Sequence, residues 1–486
     1  MKMTQECFKE RNEKFTTAAM EIVSSAHVSI DPYEIEAATG DLSILPKYHY
    51  KFKEEHIATH LVRPKDTEQL SKVMKLCKEL SLNVTVRAAG TSCYSASTPT
   101  KGGVVIDVRR MNKVHNIDTE KMIVKCDGGI SWLKLIQSLR AKGLAPKCYP
   151  TSYKSSCVSG FVVTSGGAGI GQVKFGSIFD SLIAVTLVNP DGTVARIHKN
   201  SSGEISLKDI PGSFGIFGAV AEVELSVTTL NTSMELLGYG FHTMDEASKF
   251  YKLIKANKID KPFYLSLSDK KFESFSHVTI PARPFFVYAV FYDNPEVTAK
   301  VMAFSKGKAE ELNGLEIDKW YLEEKWKDIA DTELNLGRLC NNPIFQEYWI
   351  ADERVDAFYQ EYAPLVKEDH YRNAFYIIGG AHGKSRIKLF GLSDIENSME
   401  FFGIKANFHL MSQWAYKNGD GIYSCGVVNT FYYHLHEQEK VQKFKKMKDS
   451  VDPEDRINSY RIVKTKMRLW RIKLLFYLAK ILFRWA

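Results

Sequence analysis

Six glycines fall between Cys157 and Gly176, in the run CVSGFVVTSGGAGIGQVKFG: Gly160, Gly166, Gly167, Gly169, Gly171 and Gly176. Glycine loses more backbone freedom on ordering than any other residue, so this density is costly unless bare backbone is itself needed. Bare backbone permits close approach to a ligand, with N–H groups turned toward anionic oxygens. The stretch therefore predicts one wall of a site for a dinucleotide cofactor, and the rest of the chain has to be arranged around that wall.

Three other segments share this chemistry. Arg87-Ala88-Ala89-Gly90-Thr91-Ser92 follows the strand-like Val84-Thr85-Val86 and reads as a small-residue turn exposing successive N–H groups and two hydroxyls. Pro150-Thr151-Ser152-Tyr153-Lys154-Ser155-Ser156 is a hydroxyl-rich loop just before the glycine stretch. Gly212-Ser213-Phe214-Gly215-Ile216-Phe217 comes last. None contains G-x-G-x-x-G followed by a helix and an acid at ribose distance, which argues against a Rossmann NAD site. Gly379-Gly380-Ala381-His382-Gly383-Lys384-Ser385 resembles a phosphate-binding P-loop, but Ile378 stands where the first glycine is required.

The chain has 486 residues, beyond a usual single core, and its 44% hydrophobic and 25% charged composition is that of an ordinary globular protein. Residues 1–55 read as a lead segment. Residues 56–230 read as an α+β domain of short strands. It includes a helix capped by Asp66 and Gln69 with Leu70, Val73, Met74 and Cys77 on one face, and a hairpin around Asn189-Pro190-Asp191-Gly192. Residues 231–463 are denser in aromatics, as in the strand-like Phe285 to Tyr292, and predict a second α+β domain with an antiparallel sheet and covering helices.

The four glycine- and hydroxyl-bearing segments, in this order, resemble the FAD-binding domain of the PCMH-type (vanillyl-alcohol oxidase) flavoprotein family. That family holds D-lactate dehydrogenase-like and glycolate oxidase-like enzymes and alkyl-dihydroxyacetone-phosphate synthase. The resemblance spans residues 56–230 and resumes at Val451-Asp452-Pro453 and Ile457-Asn458. It implies a two-subdomain FAD-binding domain followed by a substrate (cap) domain. It also implies that Arg87, Ala88, Ala89, Gly90, Thr91 and Ser92 wrap the diphosphate. Pro150, Thr151, Ser152, Ser155 and Ser156, with Gly160, Thr164, Ser165, Gly166, Gly167, Gly169 and Gly171, would line the ring and ribityl chain. Gly215 and Ile216 would meet the cofactor through backbone atoms.

This sequence departs from the family twice. Members with covalent flavin carry a histidine in the first turn; here Ala88, Ala89 and Gly90 stand there, implying FAD held non-covalently. Lactate-dehydrogenase-like members carry a histidine-rich metal site with G-E-H-G; Tyr423-Ser424-Cys425-Gly426 stands in the comparable region, so no metal is expected. The implied reaction is hydride transfer from an alcohol, hydroxy acid or lipid-like substrate to flavin N5. Candidate bases are His434, His436 and Tyr423, the histidines read as a pair on a strand edge. Two alternatives remain: an electron-transfer subunit without a substrate pocket of its own, and a flavoenzyme of the alkyl-dihydroxyacetone-phosphate synthase type.

The net charge of +8 is uneven, because Lys440 to Ala486 holds fourteen Lys and Arg against four Asp and Glu, leaving −2 for the remainder. Basicity confined to a tail argues against nucleic acid as a partner. Residues 464–486, KTKMRLWRIKLLFYLAKILFRWA, put Lys466, Lys473 and Lys480 on one helical line amid Leu, Ile, Phe and Trp. That pattern predicts a helix lying on an anionic membrane surface. The sequence begins without an apolar signal region, and its eight cysteines form no C-x-x-C pair, so a cytoplasmic protein, peripheral on a membrane, is expected. A small-molecule substrate and an electron acceptor, quinone or redox protein, complete the expected partners.

Overall fold

The computed structural model describes residues 5–43, 57–164, 169–276, 282–332, 343–366, 372–392, 398–423 and 425–465, together with 470–471, 473–474 and 477–478. Three sheets organise it. In the first, Val84–Arg87 and His60–Val62 flank Val104–Asp107 in parallel, and Val28–Ser29 pairs antiparallel at the edge. The helix Thr67–Glu79 makes the parallel crossover. Asp66 caps it, accepting from Gln69 N at 2.9 Å, and Leu70, Val73, Met74 and Cys77 are buried against the sheet.

The second sheet runs Val114–Asp118, Ile123–Asp127, Ala219–Thr229, Leu182–Val188 and Val194–His198, all antiparallel, with Leu144–Pro146 pairing the far end of the long strand Ala219–Thr229. The hairpin Leu182–Val188 to Val194–His198 turns at Asn189–Gly192, where Gly192 takes φ +84°. The third sheet has eight antiparallel strands and includes Ser233–Phe241, Phe285–Asp293, Tyr264–Asp269, Arg372–Gly379, Lys384–Leu392 and Pro343–Ala351. An apolar cluster joins the second and third sheets, and another lies under the first.

The chain returns to its beginning near the end. Ile457 bridges Val84 in parallel at the edge of the first sheet. Lys448, on the helix Gln438–Val451, is 1% exposed and donates to Ile216 O and Ile457 O, both at 2.7 Å, and to the Asp452 carboxylate. Arg461 is fully buried and donates to Ala96 O at 2.7 Å and Thr98 O at 3.0 Å. Buried charge on this scale persists only where every donor is used.

Candidate functional site

A cavity of about 460 Å³ lies where the first and second sheets meet the third. The first-sheet strand Val84–Arg87 runs directly into one wall. Gly90 there takes φ +70°, a backbone conformation that strains any residue with a Cβ, and it packs against the Arg87 guanidinium. Ala88, Ala89, Gly90, Thr91 and Ser92 all line the cavity. The Pro150–Ser156 loop is closed on itself, Ser156 N and Oγ both donating to Ser152 O at 2.9 and 2.8 Å, and is tied to the preceding helix Trp132–Arg140 by Trp132 N to Ser156 O at 3.1 Å. Pro150, Thr151, Ser152, Ser155 and Ser156 line the cavity, as do Gly160 and Thr164 from the helix that follows. A Cβ on Gly160 would press on Ala88 at 3.3 Å, so the two segments meet across bare backbone.

Gly215, at φ +66°, closes this wall, and Asn458 fastens it. The Asn458 amide donates to Phe214 O and Gly215 O at 3.1 and 2.9 Å, and its Oδ1 accepts from Val86 N at 3.0 Å. Glu347, on the opposite wall, is the one carboxylate among the described residues lining the cavity. A neutral wall of hydroxyls and unblocked backbone fits a phosphate-bearing cofactor; an acidic one would repel it.

The opposite wall belongs to the third sheet, where alternate residues of paired strands face the same way. Glu347 sits across from Lys388, and Phe345 across from Phe390. Lys388 Nζ is 2.9 Å from Glu347 Oε1 and lies over the rings of Phe345 and Phe390, at 4.3 and 5.2 Å from their centroids. Arg386 is 3.7 Å from Glu347 and lies over the Tyr423 ring at 5.1 Å. Ile329, Ala330 and Tyr94 complete this end. The Lys154–Asp331 ion pair, 2.6 Å, spans the rim between the hydroxyl-rich loop and the segment carrying Ile329 and Ala330.

Several expected residues sit elsewhere. Gly171, at φ +86°, packs on Lys147 O and donates its N–H to Phe263 O at 2.6 Å, while Gly169 packs on Tyr149 O. Both let backbone segments meet away from the cavity, the same property of glycine put to a packing use. Ile216 is fully buried and turned from the cavity, its carbonyl taken by Lys448. Arg87 folds back to Gly40 O at 2.5 Å and lines an adjoining open concavity with Asp41, Gly90, Thr91 and Ser155. Ser165, Gly166 and Gly167 lie outside the described residues.

Of the candidate bases, Tyr423 lines the cavity and His434 and His436 do not. The strand expected for the histidines is the helix Thr430–His436, which turns residues two apart to nearly opposite sides and so dissolves the pair. His436 stacks on Tyr416 at 4.2 Å, and burial pushes the pKa of both imidazoles below the ordinary value. His382 binds Asp180 at a hairpin tip, and Lys174 is held by Asp260 and Asp293 at 2.8 and 2.6 Å. Glu347, Arg386, Lys388 and Tyr94 carried no sequence signal. The outward alternation of Arg386 and Lys388 matches that of an exposed strand face.

No histidine lines the cavity among the described residues. Cys157 does, and burial pushes its thiol up to about 11, which leaves it protonated and unreactive at neutral pH. Elsewhere His115, Asp127 and Glu222 bring potential ligand atoms within 4.8 Å of one another. Lys125 and Thr186 already occupy Glu222, at 2.8 and 2.7 Å, and the group is accounted for as an ion-pair network.

Residues 58–198 match the FAD binding domain family. The glycolate oxidase subunit GlcD of Bacillus subtilis (strain 168) is 22% identical over 82% of this chain and 87% of its own length. A D-lactate dehydrogenase of Anaerostipes hadrus is 35% identical over a shorter stretch, 34% of this chain and 36% of that protein. Among solved structures, p-cresol methylhydroxylase with substrate bound superposes with TM-score 0.77 at 14% identity, covering 95% of this chain and 98% of that one. An alkyldihydroxyacetonephosphate synthase gives 0.73 at 16%, covering 92% and 86%. With the cavity walls described above, these matches identify an FAD-binding domain over residues 58–198, and along most of its length the chain is similar to FAD-linked oxidoreductases.

Proposed function

We propose that this protein oxidises a hydroxylated substrate carrying an anionic group, with FAD bound non-covalently in the cavity. The observation that carries this is the contrast between the two walls: hydroxyls and backbone on one, Arg386 and Lys388 with Glu347 on the other. FAD, when bound, supplies the two-electron acceptor. Backbone N–H groups of Ala88 to Ser92 would face its diphosphate. Asn458 would hold Gly215 against it. Arg386 would pair with the substrate's anion, its guanidinium lying over the Tyr423 ring. Lys388 orients Glu347, the carboxylate best placed to take a proton from a substrate hydroxyl. Phe345, Phe390, Ile329 and Ala330 would exclude water from this end.

The test is spectroscopic. Purified protein should show flavin absorption that acid releases into the supernatant. Under anaerobic conditions that band should bleach with hydroxy acids and not with neutral alcohols of the same size. A protein that cannot be loaded with FAD, or whose flavin is bleached equally by neutral alcohols, would overturn the proposal.

A second observation favours a membrane surface as the working place. Among the described residues no helix is long and apolar enough to cross a membrane. In the tail, Trp470, Leu474, Tyr477 and Leu478 are helical and exposed, at 58, 49, 64 and 45%. Their spacing places them on one helix face, with Arg471 and Lys473 at its two margins. An apolar stripe edged by cations fits the headgroup region of an anionic bilayer, from which a quinone or membrane redox protein could accept electrons. Removal of residues 466–486 is expected to abolish co-sedimentation with vesicles containing anionic lipid and leave the flavin spectrum unchanged. Undiminished co-sedimentation would sink this part.

A further inference from the structure

Tyr94 stands two residues beyond the Ala88–Ser92 turn and reaches the opposite end of the cavity. Its main chain is fixed from the other half of the molecule, its carbonyl accepting from Val427 N at 2.9 Å and Val428 N at 3.3 Å. Gly426 makes that approach possible, since a Cβ there would lie 2.0 Å from Tyr94 O. The ring meets Phe345 edge-on, with centroids 5.9 Å apart. The side chain lines the cavity and is 5% exposed, yet its Oη has no hydrogen-bond partner. Burial pushes the phenol well above its ordinary value, and the nearby Glu347 charge pushes the same way, so the group stays a neutral O–H.

A buried phenol without a partner costs stability, and phenylalanine would fill the same space without that cost. The hydroxyl therefore points to a partner that arrives with a ligand. The phenol lies close enough to Glu347 and Arg386 for both charges to act on it, so its neutral O–H is a second donor at the end of the cavity that holds Arg386, and two donors close together select an acceptor oxygen. We propose that Tyr94 is a specificity-determining residue whose hydroxyl donates to a carboxylate oxygen of the substrate, the same anionic group that Arg386 holds. This rests on the cavity being the substrate pocket of an FAD-dependent enzyme. It adds that both halves of the molecule grip the substrate: Tyr94 follows the cofactor-facing turn, and Arg386 lies on the third sheet.

The experiment uses full-length, FAD-loaded protein and oxalate, an unreactive carboxylate, titrated anaerobically while the flavin absorption band is followed. The wild type should give a saturable shift. Tyr94→Phe should keep the flavin spectrum, bind oxalate ~10-fold more weakly, and unfold at an unchanged or higher temperature when ligand-free, because the orphaned hydroxyl is gone. Tyr94→Phe binding oxalate as tightly as wild type, or melting well below it, would overturn the proposal; the latter would make the hydroxyl a structural group. A loaded wild type that ignores oxalate overturns it too and leaves FAD binding standing. Failure to load FAD at all overturns instead the reading on which it rests.

Discussion

Lys448→Met is expected to destabilise the folded chain by about 3–5 kcal/mol, the usual loss when one member of a buried ion pair is removed. The ammonium is 1% exposed and serves three acceptors at once: Ile216 O, Ile457 O and the Asp452 carboxylate. Methionine fills the space and serves none of them. Asp452, 5% exposed, would keep its bonds from Arg456 N and Ile457 N but lose its counter-charge. The effect should reach the cofactor, because Ile216 adjoins Gly215 and Ile457 adjoins Asn458, both of which line the cavity. Urea denaturation at neutral pH should show the loss, and gel filtration should show FAD lost from the variant.

The pH dependence follows from Asp452. Burial alone would raise its carboxyl; the charge and hydrogen bond of Lys448, with the N–H bonds from Ile457 and Arg456, together outweigh that and hold it below the ordinary 3.8. A carboxyl lower in the folded state contributes stability above its unfolded pKa and loses it as pH falls through the folded value. In Lys448→Met the lysine's share of that support is gone, so acid unfolding should begin at higher pH than in wild type. Lys448→Met with Asp452→Asn should regain part of the loss, since the orphaned charge is removed with its partner. A Lys448→Met variant with wild-type midpoint and acid limb would show that the three bonds contribute nothing net.

Arg386→Met carries the largest expected effect on activity. A hydrogen bond to a charged group is worth about 1.5–3 kcal/mol, so kcat/KM for an anionic substrate should fall by roughly 10- to 150-fold. The fall should lie mostly in KM, because the guanidinium holds the substrate in ground and transition states alike. FAD content should not change, since Arg386 lies on the wall away from the hydroxyl-rich loop. Arg386→Lys should recover little, because an ammonium cannot present the planar fork that a guanidinium offers a carboxylate. Equal loss with a neutral alcohol of the same size would show that Arg386 holds the pocket's shape and not the substrate's charge.

The two walls of the cavity differ in how readable they are in the sequence. The turn at Arg87–Ser92 and the loop at Pro150–Ser156 work through backbone and small hydroxyls, and such segments announce themselves locally by composition. Leu70, Val73, Met74 and Cys77, spaced for one helix face, are buried on one. The strand predicted over Phe285 to Tyr292 runs Phe285–Asp293. Arg386 and Lys388 were illegible for a physical reason. Alternation in Lys384–Leu392 marks two faces, but only tertiary packing tells whether the polar face meets water or a buried cavity, and here both faces are covered. The two histidines failed differently, because Thr430–His436 is a single short helix whose seven residues give no readable period. Gly169 and Gly171 show that glycine reports close approach without saying to what.

The hydrogen bond from Val86 N to Asn458 Oδ1 joins residues 372 positions apart in sequence. It sets an order on synthesis. The cofactor-facing turn leaves the ribosome early, but its edge strand gains Ile457 as a neighbour, and Gly215 gains Asn458, only after the entire third sheet has been made. Until then the first two sheets wait with an unfinished seam, and closing it joins ends separated by a very long loop. A nascent chain stopped between Gly215 and Asn458 holds nearly the whole cofactor wall and lacks its fastening, so FAD capture becomes a late event that waits for Asn458.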